Sequence, residues 1–163
     1  MKTTPMILAA VLLAVAGAAG AHGDEAHAQK AKKKAISTEQ HAWGREGDPA
    51  KASRTILVDM NDTMRFKPGD MRIRRGETVK FVVSNSGKVL HEMVIGTETE
   101  LKAHAELMKK HPGMEHEEPY MAHVAPGKKE TLTWTFDKAG RFMYGCLVPG
   151  HWEAGMKGTI VVE

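Results

Sequence analysis

The chain has 163 residues, 26% of them charged, with 23 basic against 20 acidic side chains and a formal net charge of +3. That balance is too even to argue for nucleic acid as a partner, and the length suits one domain. A single cysteine excludes an internal disulfide and the Cys-x-x-Cys-His attachment motif of a haem protein.

The N-terminus opens with Lys2, an apolar run over residues 7–16 and small residues ending Ala19-Gly20-Ala21. These features predict a secretory signal peptide over residues 1–21, cleaved before His22. The apolar run is short and rich in Ala, which argues against a retained anchor, so no membrane insertion is expected after cleavage. No twin arginine precedes it and no cysteine follows it, which leaves the Sec route and no lipid anchor. The expected location is a bacterial periplasm. Residues 22–52 carry few large apolar side chains and the run Lys30-Ala31-Lys32-Lys33-Lys34, and are expected to be a disordered tail. The lysine run reads as solvated rather than as a binding patch.

Residues 53–163 read as the folded domain. Strand signals cover residues 55–60, 71–74, 78–84, 91–95, 131–136, 140–146 and 158–162. Residues 131–136 alternate, with Leu132, Trp134 and Phe136 on one face. Turns separate the runs at Lys67-Pro68-Gly69-Asp70, Arg75-Gly76-Glu77, Ala125-Pro126-Gly127 and Asp137-Lys138-Ala139-Gly140. About seven short strands so punctuated predict an all-β antiparallel sandwich. One insertion, residues 96–124, breaks the pattern. Its residues 99–111 are helix formers, acidic early and basic late, with Thr97 or Thr99 as cap and Pro112-Gly113 as stop.

The chemistry concentrates in Cys146-Leu147-Val148-Pro149-Gly150-His151-Trp152-Glu153-Ala154-Gly155-Met156. A thiolate, an imidazole and a thioether follow one another at five-residue intervals in a turn-forming loop between two strands. A lone Cys is usually a small buried hydrophobe and a Met is usually core. Zinc would favour a second Cys or a carboxylate over a thioether. A Cys–His nucleophile pair leaves Met156 unexplained and has no obvious orienting residue. Cys, His and a weak axial Met are three of the four ligands of a blue-copper centre. His91, at the end of the turn Asn85-Ser86-Gly87-Lys88 and the start of an apolar strand, is the candidate for the fourth. The expected cofactor is one copper per chain. No second domain or further His cluster of a multicopper enzyme is present, and the expectation is not an enzyme.

With these residues in view, the chain from about residue 54 onward resembles a cupredoxin, the fold of plastocyanin and azurin. The Cys-x4-His-x4-Met spacing is similar to that of rusticyanin-like members. The runs Met64-Arg65-Phe66-Lys67-Pro68, Gly76-Glu77-Thr78-Val79, Asn85-Ser86-Gly87 and His91-Glu92 resemble the periplasmic copper-tolerance cupredoxins of bacteria. The resemblance implies a Greek-key sandwich with His91, Cys146 and His151 in the equatorial plane of a type-1 copper and Met156 axial. One position departs. Plastocyanin and azurin follow the first His with an Asn that braces the Cys loop, whereas Glu92 stands here, which bears on the colour and potential of the site.

The insertion adds a second pattern. His104, Met108, His111, Met114, His116, Met121 and His123 crowd into twenty residues of a chain with nine His and 11 Met in all. His104, Met108 and His111 fall on one helical face. Such a stripe is more often packing than a ligand set, yet the His/Met bias continues past the helix, and these seven residues are candidates for auxiliary copper. His22, exposed by signal cleavage, is another. Two functional readings follow: copper tolerance through copper binding and one-electron chemistry, or a mobile electron carrier between periplasmic partners. The expected partner is a redox or copper-handling protein, and the expected state is a monomer. Leu147, Val148, Pro149 and Trp152 are the candidate apolar docking patch.

Overall fold

The computed structural model describes residues 35–111 and 116–163. Eleven strands and one α-helix occupy them. In chain order these are β1 (Gln40–His41), β2 (Gly44–Glu46), β3 (Arg54–Asn61), β4 (Arg65–Lys67), β5 (Asp70–Ile73), β6 (Glu77–Asn85), β7 (His91–Gly96), α1 (Glu98–Lys110), β8 (Met121–Val124), β9 (Lys129–Phe136), β10 (Gly140–Gly145) and β11 (Lys157–Val162). They form a six-stranded sheet in the order β1-β2-β9-β6-β3-β4 and a five-stranded sheet in the order β5-β11-β10-β7-β8. Among the described residues, no helix is long and apolar enough to cross a membrane.

The expected Greek-key sandwich is present, with one correction to its sense. It is not wholly antiparallel: β3 runs parallel to β6, and β5 parallel to β11. Parallel neighbours cannot be joined by a hairpin, so the chain crosses between sheets to reach them. Period-two burial makes the core. Along β6, Val79, Phe81, Val83 and Asn85 point inward, and on its antiparallel neighbour β9 Leu132, Trp134 and Phe136 do so.

Strand β7 is buried at all six positions because it has a protein layer on each side. Met93 and Ile95 face the sandwich core, while Val94 joins Leu101, Ala105 and Met108 of α1 with Met121, Leu147 and Trp152. Thr97 caps α1 in a full capping box with Glu100, and acidic and basic residues sit at the ends the helix dipole favours. The helix thus covers one flank of β7.

Two boundaries move. The expected tail reaches residue 52, yet β1 and β2 lie within it and β2 pairs with β9. Trp43 is buried there, and its carbonyl accepts from Trp134 Nε1 at 3.1 Å. Gly44 makes this approach feasible: its φ is +123°, and a Cβ would stand 2.0 Å from the Thr135 carbonyl oxygen. One tryptophan and one glycine are enough to dock a segment whose average composition is polar. The expected insertion likewise ends early, since Met121–Val124 is strand β8, paired with β7. The expected signal segment and His22 lie outside the described residues.

Candidate metal centre

His91 begins β7, and Cys146 follows β10 directly. His151 and Met156 belong to the loop that leads into β11, so strands from distant parts of the chain deliver four side chains to one end of the sandwich. The loop is closed by its own backbone. Cys146 N donates to Met156 O at 3.0 Å, Met156 N to His151 O at 3.0 Å, and His151 N to Val148 O at 2.9 Å. Gly150 and Gly155 take the left-handed φ values (88° and 92°) that these turns need. Arg65 of β4 ties the loop down from outside, donating to the Ala154 carbonyl at 2.9 Å.

The ligand atoms of His91, Cys146 and His151 lie within 4.8 Å of one another, and among the described residues this is the only such group of three or more His, Cys, Asp or Glu. Cys146 Sγ stands 3.2 Å from His151 Nδ1, and the two imidazole rings are 5.0 Å apart. His91 is fully buried, and its Nδ1 has no hydrogen-bond partner. A buried polar atom left so costs about 1–3 kcal/mol. A metal at the centre of the group gives that nitrogen its partner, and the set of one thiol and two imidazoles fits copper. Met156 is fully buried at the base of the loop.

The surroundings select protonation states. Burial, above all, pushes the Cys146 thiol up to about 12, so the metal-free protein holds it neutral. Burial and then the neighbouring His91 lower His151, leaving it the neutral imidazole that a metal requires. His91 Nε2 donates to Asp62 Oδ1 at 3.2 Å, which fixes the ring with Nδ1 turned inward. Asp62 is itself held by the backbone N–H of Lys88 at 2.8 Å. That bond first, and the His91 contact after it, keeps its carboxyl below the usual range.

Glu92 replaces the expected brace. Its backbone N–H donates to Cys146 Sγ at 3.4 Å, and its Oε1 accepts from Leu147 N at 2.8 Å. Its Oε2 pairs with His123 Nε2 at 2.9 Å, directly across the β7–β8 ladder. A buried carboxylate (2% exposed) with these donors performs the bracing, but brings a charge and a third contact with it.

Residues 52–163 match the family of copper-binding proteins of the plastocyanin/azurin type. The chain belongs to that family. Copper is therefore its cofactor. Over 121 residues it is 52% identical to the copper-resistant cuproprotein CopI of Rubrivivax gelatinosus, covering 74% of this chain and 73% of that one. It is 33% identical to the protein of the same name from Pseudomonas aeruginosa, over 94% and 93% of the two chains. Among solved structures, auracyanin B superposes with a TM-score of 0.61 at 20% identity, over 74% of this chain and 96% of that one. That likeness shows the cupredoxin fold.

Within this cupredoxin the predicted residues divide. His91, Cys146, His151 and Met156 gather at one end. Met108 and Met121 do not join an auxiliary cluster: both are buried in the apolar layer between α1 and β7. Their thioethers pack: Met108 on the buried face of α1 and Met121 from strand β8. His111 is exposed at the C-cap of α1. His104 and His116 approach each other, and His123 meets Glu92. Met114 and His22 lie outside the described residues. The expected docking patch also changes, since Leu147 and Trp152 are buried and the exposed apolar side chains nearby are Val89 and Leu90, just before His91. Asp62 and Arg65 went unnamed in the sequence as site residues. Asp62 sits in an ordinary Asn61-Asp62-Thr63 turn, and nothing in its spacing points to His91.

Proposed function

We propose that this cupredoxin is an exported type-1 copper protein that serves copper tolerance by binding copper and passing single electrons. In this reading His91 Nδ1, Cys146 Sγ and His151 Nδ1 would hold the copper, with Met156 Sδ as a weak fourth donor. The observation that carries it is the buried, partnerless Nδ1 of His91 facing a thiol and a second imidazole. Bound copper supplies a one-electron couple between its two oxidation states. The protein holds its ligands on a loop closed by backbone hydrogen bonds and fixed by Glu92 and Arg65, so their positions change little when the charge at the centre changes. Cys146 gives up its proton on binding. The Glu92 N–H then faces a thiolate, and such outer contacts tune a centre's potential.

Tolerance is supported by the likeness to copper-resistant cuproproteins over most of the chain. Export, through a Sec signal over residues 1–21 into the periplasm, suits a single cysteine that metal ligation shields from oxidation. Val89 and Leu90, each 45% exposed beside His91, favour a second reading as a mobile carrier that docks a redox partner there. Two measurements test these readings. The copper(II) protein should show intense visible absorption that disappears in Cys146→Ser; a band that survives would refute the ligand set. A deletion strain should lose growth on copper and regain it only with a gene encoding Cys146. Unimpaired growth would leave the carrier reading in front.

A further inference from the structure

On the flank of β7 away from the sandwich core, two imidazoles from different parts of the chain lie in ring contact and a third, on β8, shares a cleft with one of them. His104 belongs to α1, His116 to the connection after it, and His123 to β8. The His104 and His116 rings are 4.8 Å apart with planes 38° from parallel. His116 Nδ1 is buried without a hydrogen-bond partner. His116 and His123 line one surface cleft of about 420 Å³ with Leu90 and Glu117. Burial first, and then the charge of His116, lowers the proton affinity of His104, and Glu92, His123 and Glu118 are near enough to act on it as well. Ring packing alone would explain the pair but not the orphaned nitrogen, which loses water without gaining a donor or acceptor.

We propose that His104, His116 and His123 form a second metal site, for divalent copper or zinc, and that Glu92 couples it to the Cys146 loop. Imidazoles are ligands of choice for both ions, and the neutral form that burial favours at His104 is the one that binds. His123 carries the carboxylate contact that commonly orients a metal-bound imidazole. The same Glu92 accepts from Leu147 N, and its backbone N–H reaches Cys146 Sγ. A cation on His123 therefore pulls on the carboxylate that braces the Cys loop. The three imidazoles converge less tightly than the His91 group, so this site binds more weakly and exchanges its metal. The coupling rests on the copper reading of the Cys146 loop; the second site itself does not.

Zinc, which carries no colour, is the probe. Full-length mature protein loaded with one copper per chain is titrated with zinc by calorimetry while its visible spectrum is followed. One zinc per chain is expected, at least tenfold weaker in the His104→Ala/His116→Ala double variant, with blue absorption intact before zinc is added. Equal zinc affinity in wild type and double variant would overturn the site. Zinc should also shift the absorption band of the wild type, and that shift should vanish in Glu92→Gln, which keeps an acceptor for Leu147 but loses the charge. A shift unchanged in Glu92→Gln would overturn the coupling. A wild type without a blue band would refute the Cys-loop reading and the coupling with it, and the zinc stoichiometry would then still decide the second site.

Discussion

At the scale of single residues, the copper end is controlled as much by carboxylates as by ligands. Asp62 places a negative charge against the far nitrogen of His91, and that charge favours the more positive, oxidised centre. Asp62→Asn keeps an acceptor and removes the charge. Copper should stay bound and the reduction potential should rise, read by redox titration; an unchanged potential would mean that Asp62 acts only as a spacer. Met156→Leu should likewise retain copper and raise the potential, because a weak axial donor tunes the couple upward when removed. Loss of copper in that variant would remove Met156 from the axial position. Asp62 acts through His91 and Met156 belongs to the Cys loop, so the two changes should be close to additive. How much of this was legible depends on how local each contact is. Cys146, His151 and Met156 share one loop, and their spacing announces them. His91 is announced by a turn followed by an apolar strand. Asp62 is 29 positions from the ring it orients, and Glu92 shows only as a departure from a family pattern. Neither role has a signature until β7 is set beside its neighbours.

At the scale of elements, α1 does more than interrupt the sandwich. Its Leu101, Ala105 and Met108 pack on Val94 together with Leu147 and Trp152, so the helix floor is also the wall of the Cys loop. Leu101 is 2% exposed, and Leu101→Ala should cost about 2–5 kcal/mol of stability. Chemical denaturation measures that loss. If helix and loop share one apolar layer, copper should also dissociate faster from the variant, measured by transfer to a chelator. Destabilisation with an unchanged dissociation rate would show the loop to be held by Glu92 and Arg65 alone. The same packing explains which elements could be read in advance. Strands β3, β5, β6, β9, β10 and β11 and the helix show as patterned runs bounded by turn signals, and β7 as an apolar run. Strands β1, β2 and β4 span two or three residues each, too few for a period. In β8 the His and Met that suggested ligation obscured the pairing: Met121 points into the apolar layer and His123 toward Glu92. The parallel pairings were illegible for another reason. Strand direction within a sheet follows from crossovers, and short-range sequence carries no mark of them.

For the molecule as a whole, metal and protons compete for the same groups, and the copper-loaded form should depend more steeply on pH than the metal-free one. In the metal-free protein the Cys146 thiol is raised to about 12 by burial. A group with a raised folded-state value stabilises the fold fully below its unfolded value, near 8.5, and that contribution is lost as pH climbs toward the folded value. His151 works from the other side: burial lowers it, so the fold is favoured above about 6.5, the ordinary histidine value, and loses that contribution as pH falls. The metal-free melting temperature should therefore be flat near neutrality and decline toward both extremes. Copper changes the sign on the acid side of the thiol. Binding expels the Cys146 proton, so affinity should rise about tenfold per pH unit, about 1.4 kcal/mol, while the thiol is protonated. Because copper binds the folded chain, the gap in melting temperature between loaded and metal-free protein should widen as pH rises from 5 to 8. Scanning calorimetry of both forms across that range reads the gap directly. Cys146→Ser should lose both the gap and its slope, and a gap independent of pH in the wild type would mean that the metal is held without the thiolate.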